Sequence, residues 1–419
     1  MNAMNTAGAV RAFAAPAERS EPSEPALAAL TGVLREWAPE VRARALALDE
    51  NPDAVAQWLD LPALQCLATT GIPPEFGGPG LRVDGHHITG LTALERAVII
   101  EELSCADAGL LLAGPGPSMS GVLVEQLADQ EQKEWFYSRL LERPAWTFFG
   151  VTEPRHGSDI SSLETRLEPA GPDPADGAVL VGVKRYVGNA SRAALGAVFA
   201  RTSPGPFGIA AALVDTADPG FQADPLPTIG LRGARICQIT LDRLAVPPER
   251  LLGRQLPRTR RGTWACIQVF NRLRPGVAAI ALGIARAAYE YALAERTGPG
   301  RPAAPAARAR LDEMAARITT TRALIHLAAR TVDRTGTGQL GSAAKISACR
   351  LAEDLTLAAA DLLGPRSRWE HPLLDKYIRD ARGVEFMEGT RNIQRLNLFP
   401  LVNTGQPAPG AAEDVGGHV

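Results

Sequence analysis

The sequence predicts an α+β protein whose chain runs helices, sheet, helices, and three observations carry that reading. Toward both ends of the chain, apolar residues recur every three or four positions, as one buried face of a helix requires. Between about Trp146 and Gln255 the apolar runs become short, β-rich and bounded by turn residues. No helical period long enough for a crossover separates those runs, so a central domain of mostly antiparallel strands is expected. The boundaries read as a disordered segment over 1–25, a helical domain over 26–145, a β-domain over 146–255, a helical bundle over 256–402 and a disordered tail over 403–419.

Each element follows from its pattern. Leu27, Leu30, Val33, Leu34 and Trp37 form one helical stripe, and Leu91, Leu94, Val98 and Leu103 form another. Gly71 to Gly80 is too rich in Gly and Pro to be anything but a shaped loop. The break Gly114-Pro115-Gly116-Pro117-Ser118 separates two helical runs and could bend the chain around a buried ligand. Strands are expected at Trp146–Val151, Ala178–Val183, Ile209–Val214 and Ile236–Leu241. The helical period then returns in Val277, Ile280, Ala281, Ile284, Ala288 and Tyr291, in Leu311, Met314, Ile318, Leu324 and Leu327, and in Ala343, Ile346, Leu351, Leu355, Ala358 and Leu362. Three such stripes predict antiparallel helices packed as a bundle.

Composition narrows the function. With 419 residues and 46% apolar content, the chain can bury a substantial core, and 44 basic against 46 acidic residues leave no global field to gather nucleic acid or an anionic membrane. Five scattered cysteines, without a Cys-x-x-Cys pair, suggest neither a disulfide framework nor a zinc site, and fit a reducing cytoplasm. No metal site is expected. The stretch with the most chemistry is Arg379 to Arg395, where Glu388 follows the apolar pair Phe386-Met387 and precedes Gly389. An apolar bracket would raise the carboxyl's pKa toward neutrality, where a general base works best.

The segment Gly150-Val151-Thr152-Glu153-Pro154-Arg155-His156-Gly157-Ser158-Asp159 resembles the Thr-Glu-Pro-x-x-Gly-Ser-Asp signature of the acyl-CoA dehydrogenase family. Gly230 to Ala234, Val246 to Gly253 and the Arg379 to Gln394 stretch follow in the family's order, so the resemblance covers about residues 27 to 400. It implies an N-terminal helical domain, a β-domain and a C-terminal four-helix bundle, with FAD bound between the last two. It also implies that a base removes the proton alpha to a thioester carbonyl while a hydride leaves the beta carbon for flavin N5. By the same resemblance Glu388 is the base, and Leu273 occupies the position from which some members supply a rival carboxylate.

The remaining site residues are implied likewise. Phe149, Val151, Thr152, Ser158, Tyr186, Gly188, Thr390 and Asn392 match cofactor positions, and Ser158, Asn271, Arg274 and Gly389 match positions at the substrate. The expected partners are an acyl thioester on CoA or an acyl carrier protein, an unassigned electron acceptor, and further copies in a homodimer or homotetramer. The chain also departs from the family. Tyr186 replaces a tryptophan beside the flavin, and Gly188 replaces a threonine whose hydroxyl donates to N5. An arginine that reaches a neighbouring subunit's FAD is missing after Tyr291, with Arg296 or Arg301 as substitutes, and Gly364-Pro365 stands for a Gly-Gly. The cluster Arg254, Arg258, Arg260 and Arg261 could receive carrier phosphates or acidic side chains, or be a solvated loop. These departures keep a flavin monooxygenase or oxidase on the same fold as an alternative, and a binding protein that has lost FAD as a third reading.

Overall fold

The computed structural model describes residues 21–205, 207–297 and 303–404. The N-terminal helices are α1 (Glu24–Arg42), α2 (Ala45–Glu50) and α3 (Pro62–Thr69), followed by a small hairpin of β1 (Leu81–Val83) and β2 (His86–Ile88). Next come α4 (Ala93–Ala113), α5 (Ser118–Leu127) and α6 (Gln130–Glu142). Helix α1 begins inside the segment expected to be disordered. Ser23 accepts a hydrogen bond from the Ala26 amide and Pro25 occupies the first turn, so the start signal lies just upstream of the apolar stripe. The rest of that expectation, residues 1–20, lies outside the described residues.

The β-domain contains β3 (Trp146–Gly150), β4 (Arg166–Pro169), β5 (Ala178–Val187), β6 (Ala193–Arg201), β7 (Ile209–Asp215), β8 (Phe221–Pro225) and β9 (Cys237–Val246). They pair in the order β3-β6-β4-β5-β9-β8, with β7 also on β6. Most pairings are antiparallel, as expected, while β3 runs parallel to β6 and a single parallel bridge joins β4 to β6. Strand β6 had no readable alternation because it is Ala-rich and nearly all of it is buried, small residues serving on both faces.

The bundle comprises α7 (Gly262–Arg296), α8 (Pro305–Thr335), α9 (Gln339–Leu363), the single turn α10 (Ser367–Glu370), α11 (Pro372–Val384) and α12 (Arg391–Thr404). Helix α12 carries regular structure to the first two residues of the expected tail, whose remainder lies outside the described residues. By length and composition α7 could cross a membrane, but 72% of its most apolar window is buried against the rest of the chain, the signature of a core helix.

The two helical regions, far apart in sequence, share one core. Leu30 and Leu34 of α1, Leu103 of α4, Ala281 and Ile284 of α7, and Leu355 of α9 belong to a single apolar cluster. A buried ionic triad pins it. Helix α4 breaks at Asp107 (φ −162°, ψ 117°), turning that carboxylate to accept from Lys376 Nζ at 2.5 Å, while Asp380, one turn along α11, accepts from the same ammonium at 2.7 Å. The other oxygen of Asp380 takes the Leu231 amide at 2.6 Å. That bond holds a β-domain loop against α11, where a Cβ on Gly230 would lie 2.2 Å from the Arg379 carbonyl oxygen, so only glycine permits the approach.

Candidate active site

A cavity of about 1490 Å³ lies between the sheet, α7, α9 and the segment joining α11 to α12. That exceeds the few hundred to about 1000 Å³ typical of a single small-ligand pocket, so it has room for a large cofactor together with a substrate. Its β-domain wall carries Phe149, Val151, Thr152, Ser158, Tyr186 and Gly188. The opposite wall carries Asn271 and Arg274 of α7 with Glu388, Gly389 and Thr390. Asn392 is the exception: it is exposed on the first turn of α12 and does not line the cavity. The break after α4 does reach the cavity, through Ser118 and its neighbour Met119.

Glu388 sits on a tight turn. After α11 ends, Glu388 (φ 49°) and Gly389 (φ 92°) are both left-handed, a conformation glycine adopts freely and glutamate does not. Side chains hold the turn from behind. Gln394 Nε2 donates to the carbonyls of Glu388 at 2.9 Å and Gly389 at 3.1 Å, and its Oε1 accepts from Ser342 Oγ at 2.8 Å. Lys345, fully buried in α9, donates to the carbonyls of Glu385 (3.2 Å), Met387 and Gly389. Glu385 in turn accepts from the Arg391 amide at 2.9 Å, capping α12 with a negative charge.

The carboxyl of Glu388 faces this cavity with Oε2 sealed from solvent and without a hydrogen-bond partner. Burial pushes its pKa up to about 7, against the opposing pull of Arg274 and Lys345. Of the apolar bracket read from the sequence, Phe386 and Met387 both line the cavity, but Phe386 is 68% exposed and only Met387 also packs on the core. Arg274 is buried and donates to Asn271 Oδ1 at 3.1 Å, leaving its Nε unpartnered. Burial lowers its pKa, and Glu388 opposes that shift. Leu273 lies half-buried against apolar neighbours and carries no titratable group.

On the β-domain side, the buried ammonium of Lys184 donates to Val151 O at 3.0 Å and to Glu153 Oε1 at 2.8 Å. The two oxygens of Glu153 accept the backbone amides of Glu164 and Thr165 at 2.6 and 2.9 Å. Burial alone would raise the Glu153 pKa, but Lys184 and these donors bring it below the usual range. Sequence reasoning assigned no role to Lys184, Glu153, Lys345 or Gln394. For Lys184 and Lys345 the available signal was a lysine within an otherwise apolar strand or helix face, which survives burial only when its donors are satisfied.

Tyr186 is left-handed (φ 61°), 62% exposed and overlaid by the Arg185 guanidinium at 5.4 Å. Gly188 is not there for want of space: a Cβ would meet only Ala234 O at 3.5 Å and Ile236 Cδ1 at 4.0 Å, ordinary contacts. Of the two substitutes for the missing cross-subunit arginine, Arg296 donates to the Leu362 carbonyl at the end of its own α9, and Arg301 lies outside the described residues. Arg261 of the basic cluster is spent bracing its own loop, donating to the Leu256 and Arg254 carbonyls, whereas Arg254 and Arg258 are exposed.

Residues 148–244 match the family pattern described as acyl-CoA dehydrogenase, middle domain, and residues 260–399 match acyl-CoA dehydrogenase, C-terminal domain. An acyl-CoA dehydrogenase of Bacillus subtilis is 30% identical over 335 residues, 78% of this chain and 84% of that protein. Cyclohexane-1-carbonyl-CoA dehydrogenase of Geobacter metallireducens is 28% identical over 88% of this chain and 94% of its own length. Among solved structures, a glutaryl-coenzyme A dehydrogenase with glutaryl-CoA superposes with a TM-score of 0.79 at 24% identity, covering 92% of this chain and 96% of that one.

Proposed function

The chain belongs to the acyl-CoA dehydrogenase family, and from that premise we propose that it removes hydrogen from the alpha and beta carbons of an acyl thioester, with Glu388 as the base. Its cofactor is FAD, which accepts the hydride from the beta carbon when bound. The cavity fits that cofactor. It is large enough, and the Val151-Thr152 backbone lies at the end of edge strand β3, where the sheet leaves amide donors open to a ligand. Phe149, Thr152, Ser158, Tyr186, Gly188 and Thr390 would hold it, with Arg274 and Asn271 behind the thioester.

One observation carries the reading: a carboxyl with an unpartnered oxygen, raised to about 7, faces the β-domain wall across the same cavity. Glu388 takes the alpha proton, and its position on a turn fixed by Gln394 and Lys345 holds the carboxyl at the cavity without reorganisation. Burial does the rest, because a carboxylate stripped of water is a stronger base. Homologues acting on CoA thioesters support CoA as the carrier, and the exposed Arg254 and Arg258 leave an acyl carrier protein as the other candidate. Five buried free cysteines support a reducing cytoplasm, and Trp369, 80% exposed beside Gly364, supports a homodimer or homotetramer.

Gly188 favours a second reading. With no hydroxyl there, reduced flavin loses a hydrogen-bond partner, and oxygen becomes a competing acceptor, as a monooxygenase or oxidase requires. An anaerobic screen of CoA and carrier-protein thioesters, read by flavin absorbance, tests both. Bleaching by a thioester without oxygen supports dehydrogenation. Bleaching that needs NAD(P)H, with oxygen consumed in turnover, transfers the assignment to a monooxygenase, bleaching by a thioester that air reverses with release of hydrogen peroxide transfers it to an oxidase, and a colourless protein that FAD cannot reconstitute would sink both.

A further inference from the structure

Three lysines are fully buried, and two of them meet carboxylates: Lys184 bonds Glu153, and Lys376 bonds Asp107 and Asp380. Lys345 does not. Its three N–H groups go to three backbone carbonyls, those of Glu385, Met387 and Gly389, which bracket Glu388 in sequence. Carbonyls of that kind are satisfied by neutral donors elsewhere in the same turn, as Gln394 shows. Holding the turn therefore does not require a charge, and a desolvated ammonium with no bonded carboxylate is costly. The charge needs its own explanation. It has one in Glu388, the nearby carboxyl whose buried Oε2 lacks a hydrogen-bond partner.

We propose that Lys345 is a positioning residue for Glu388, gathering the turn's carbonyls so that the carboxyl points into the cavity and supplying fixed positive charge behind it. The charges around the pair are few. Arg274 and Cys266 of α7 face Glu388, Cys349 of α9 and Glu385 of the turn face Lys345, and Glu385 is itself engaged by Arg391 at 3.0 Å. Burial keeps both thiols neutral, so Arg274 and Lys345 are the two cations acting on the base. Burial lowers the Lys345 pKa, and Glu388 is among the groups that oppose this. Proton transfer to Glu388 removes the negative charge the two cations share, so losing either one makes the carboxylate harder to form.

The inference rests on Glu388 being the base, and its test separates the two. In the full-length flavoprotein, Lys345→Met should leave flavin content unchanged. It should move the acid limb of thioester-dependent flavin reduction upward by at least about one pH unit, an approximately fivefold loss at pH 7. The protonated-carboxyl infrared band of Glu388, assigned by difference from Glu388→Gln, should titrate upward by the same amount without any substrate. An unmoved acid limb together with an unmoved band overturns the proposal. If Glu388→Gln reduces flavin at the wild-type rate, the base assignment fails, while the band still reports what Lys345 does to Glu388. Lys345→Gln keeps two donors and removes the charge, which guards against a variant that does not fold. If neither variant accumulates as folded flavoprotein while Glu388→Gln does, Lys345 serves folding alone and the proposal is wrong.

Discussion

The two walls of the cavity are built on different plans. On the bundle side, side chains anchor the Glu388 turn from behind: Gln394 and Lys345 hold the turn, Ser342 holds Gln394, and Asn271 holds Arg274. On the β-domain side, one buried pair, Lys184 with Glu153, fixes the start of the signature loop, and beyond it Ser158, Tyr186 and their neighbours are exposed. The first wall is preorganised by the chain itself, and the second is a surface completed by what it binds. The lesson is that the proposed base is positioned by the chain's own residues, whereas redox behaviour depends on the contents of the site.

The largest effect that would sharpen this contrast is loss of the base. Glu388→Gln should retain FAD and lose thioester-dependent flavin reduction by about 10²- to 10⁴-fold, measured by stopped flow; an undiminished rate would remove the bundle wall from the chemistry. Next is Lys184→Met, which strands the buried Glu153 carboxylate. It should cost about 3–5 kcal/mol in urea unfolding and weaken FAD retention, while the infrared titration of Glu388 stays put. If that titration moves with it, the two walls are not independent.

The pH dependence has a defined sign. The carboxyl ionises near 4.5 in the unfolded chain but near 7 in the folded one, so the unfolded state loses its proton first. The stabilisation contributed by the neutral group is present in full below about 4.5 and is lost as pH rises through about 7. Glu388→Gln should therefore gain stability relative to wild type between pH 5 and pH 8 in urea titrations, and wild-type flavin reduction should fall on the acid side of about 7. The smallest effect is expected from Gly188→Thr. The added Cβ meets only ordinary contacts, so the variant should fold with unchanged stability within about 0.5 kcal/mol and reoxidise more slowly in air. Faster reoxidation would refute a link between the missing hydroxyl and oxygen reactivity.

The order of helices, sheet and helices was legible because long helical stripes repeat, and the stripe through Val277, Ile280 and Ile284 is buried as expected. The stripe in α9 was out of phase. Leu351, Leu355 and Leu362 are buried, but the first turns bury Gly341, Ala344, Lys345 and Ala348 rather than Ala343 and Ile346. Small residues give the period too little contrast to set its phase, and the phase error hid Lys345. Strand β6 was missed for a related reason, since Ala and Gly on both faces leave nothing to alternate. Glu388 was legible through motif resemblance, but the full extent of its enclosure was not, because part of it comes from α7 and from the start of α9, more than forty positions away. Asn392 shows the opposite failure: a position matched to the cofactor by resemblance does not line the cavity.

The triad of Asp107, Lys376 and Asp380 has a consequence for how the chain is made. Asp107 and Lys376 are 269 residues apart, and Asp49 waits 330 residues for Arg379. During synthesis, helix α4 is complete long before its ammonium partner has been translated, so the N-terminal helices emerge with a carboxylate for which their own sequence offers no buried counterion. The core they share with α7 and α9 therefore closes around a charged triad only once α11 has been translated.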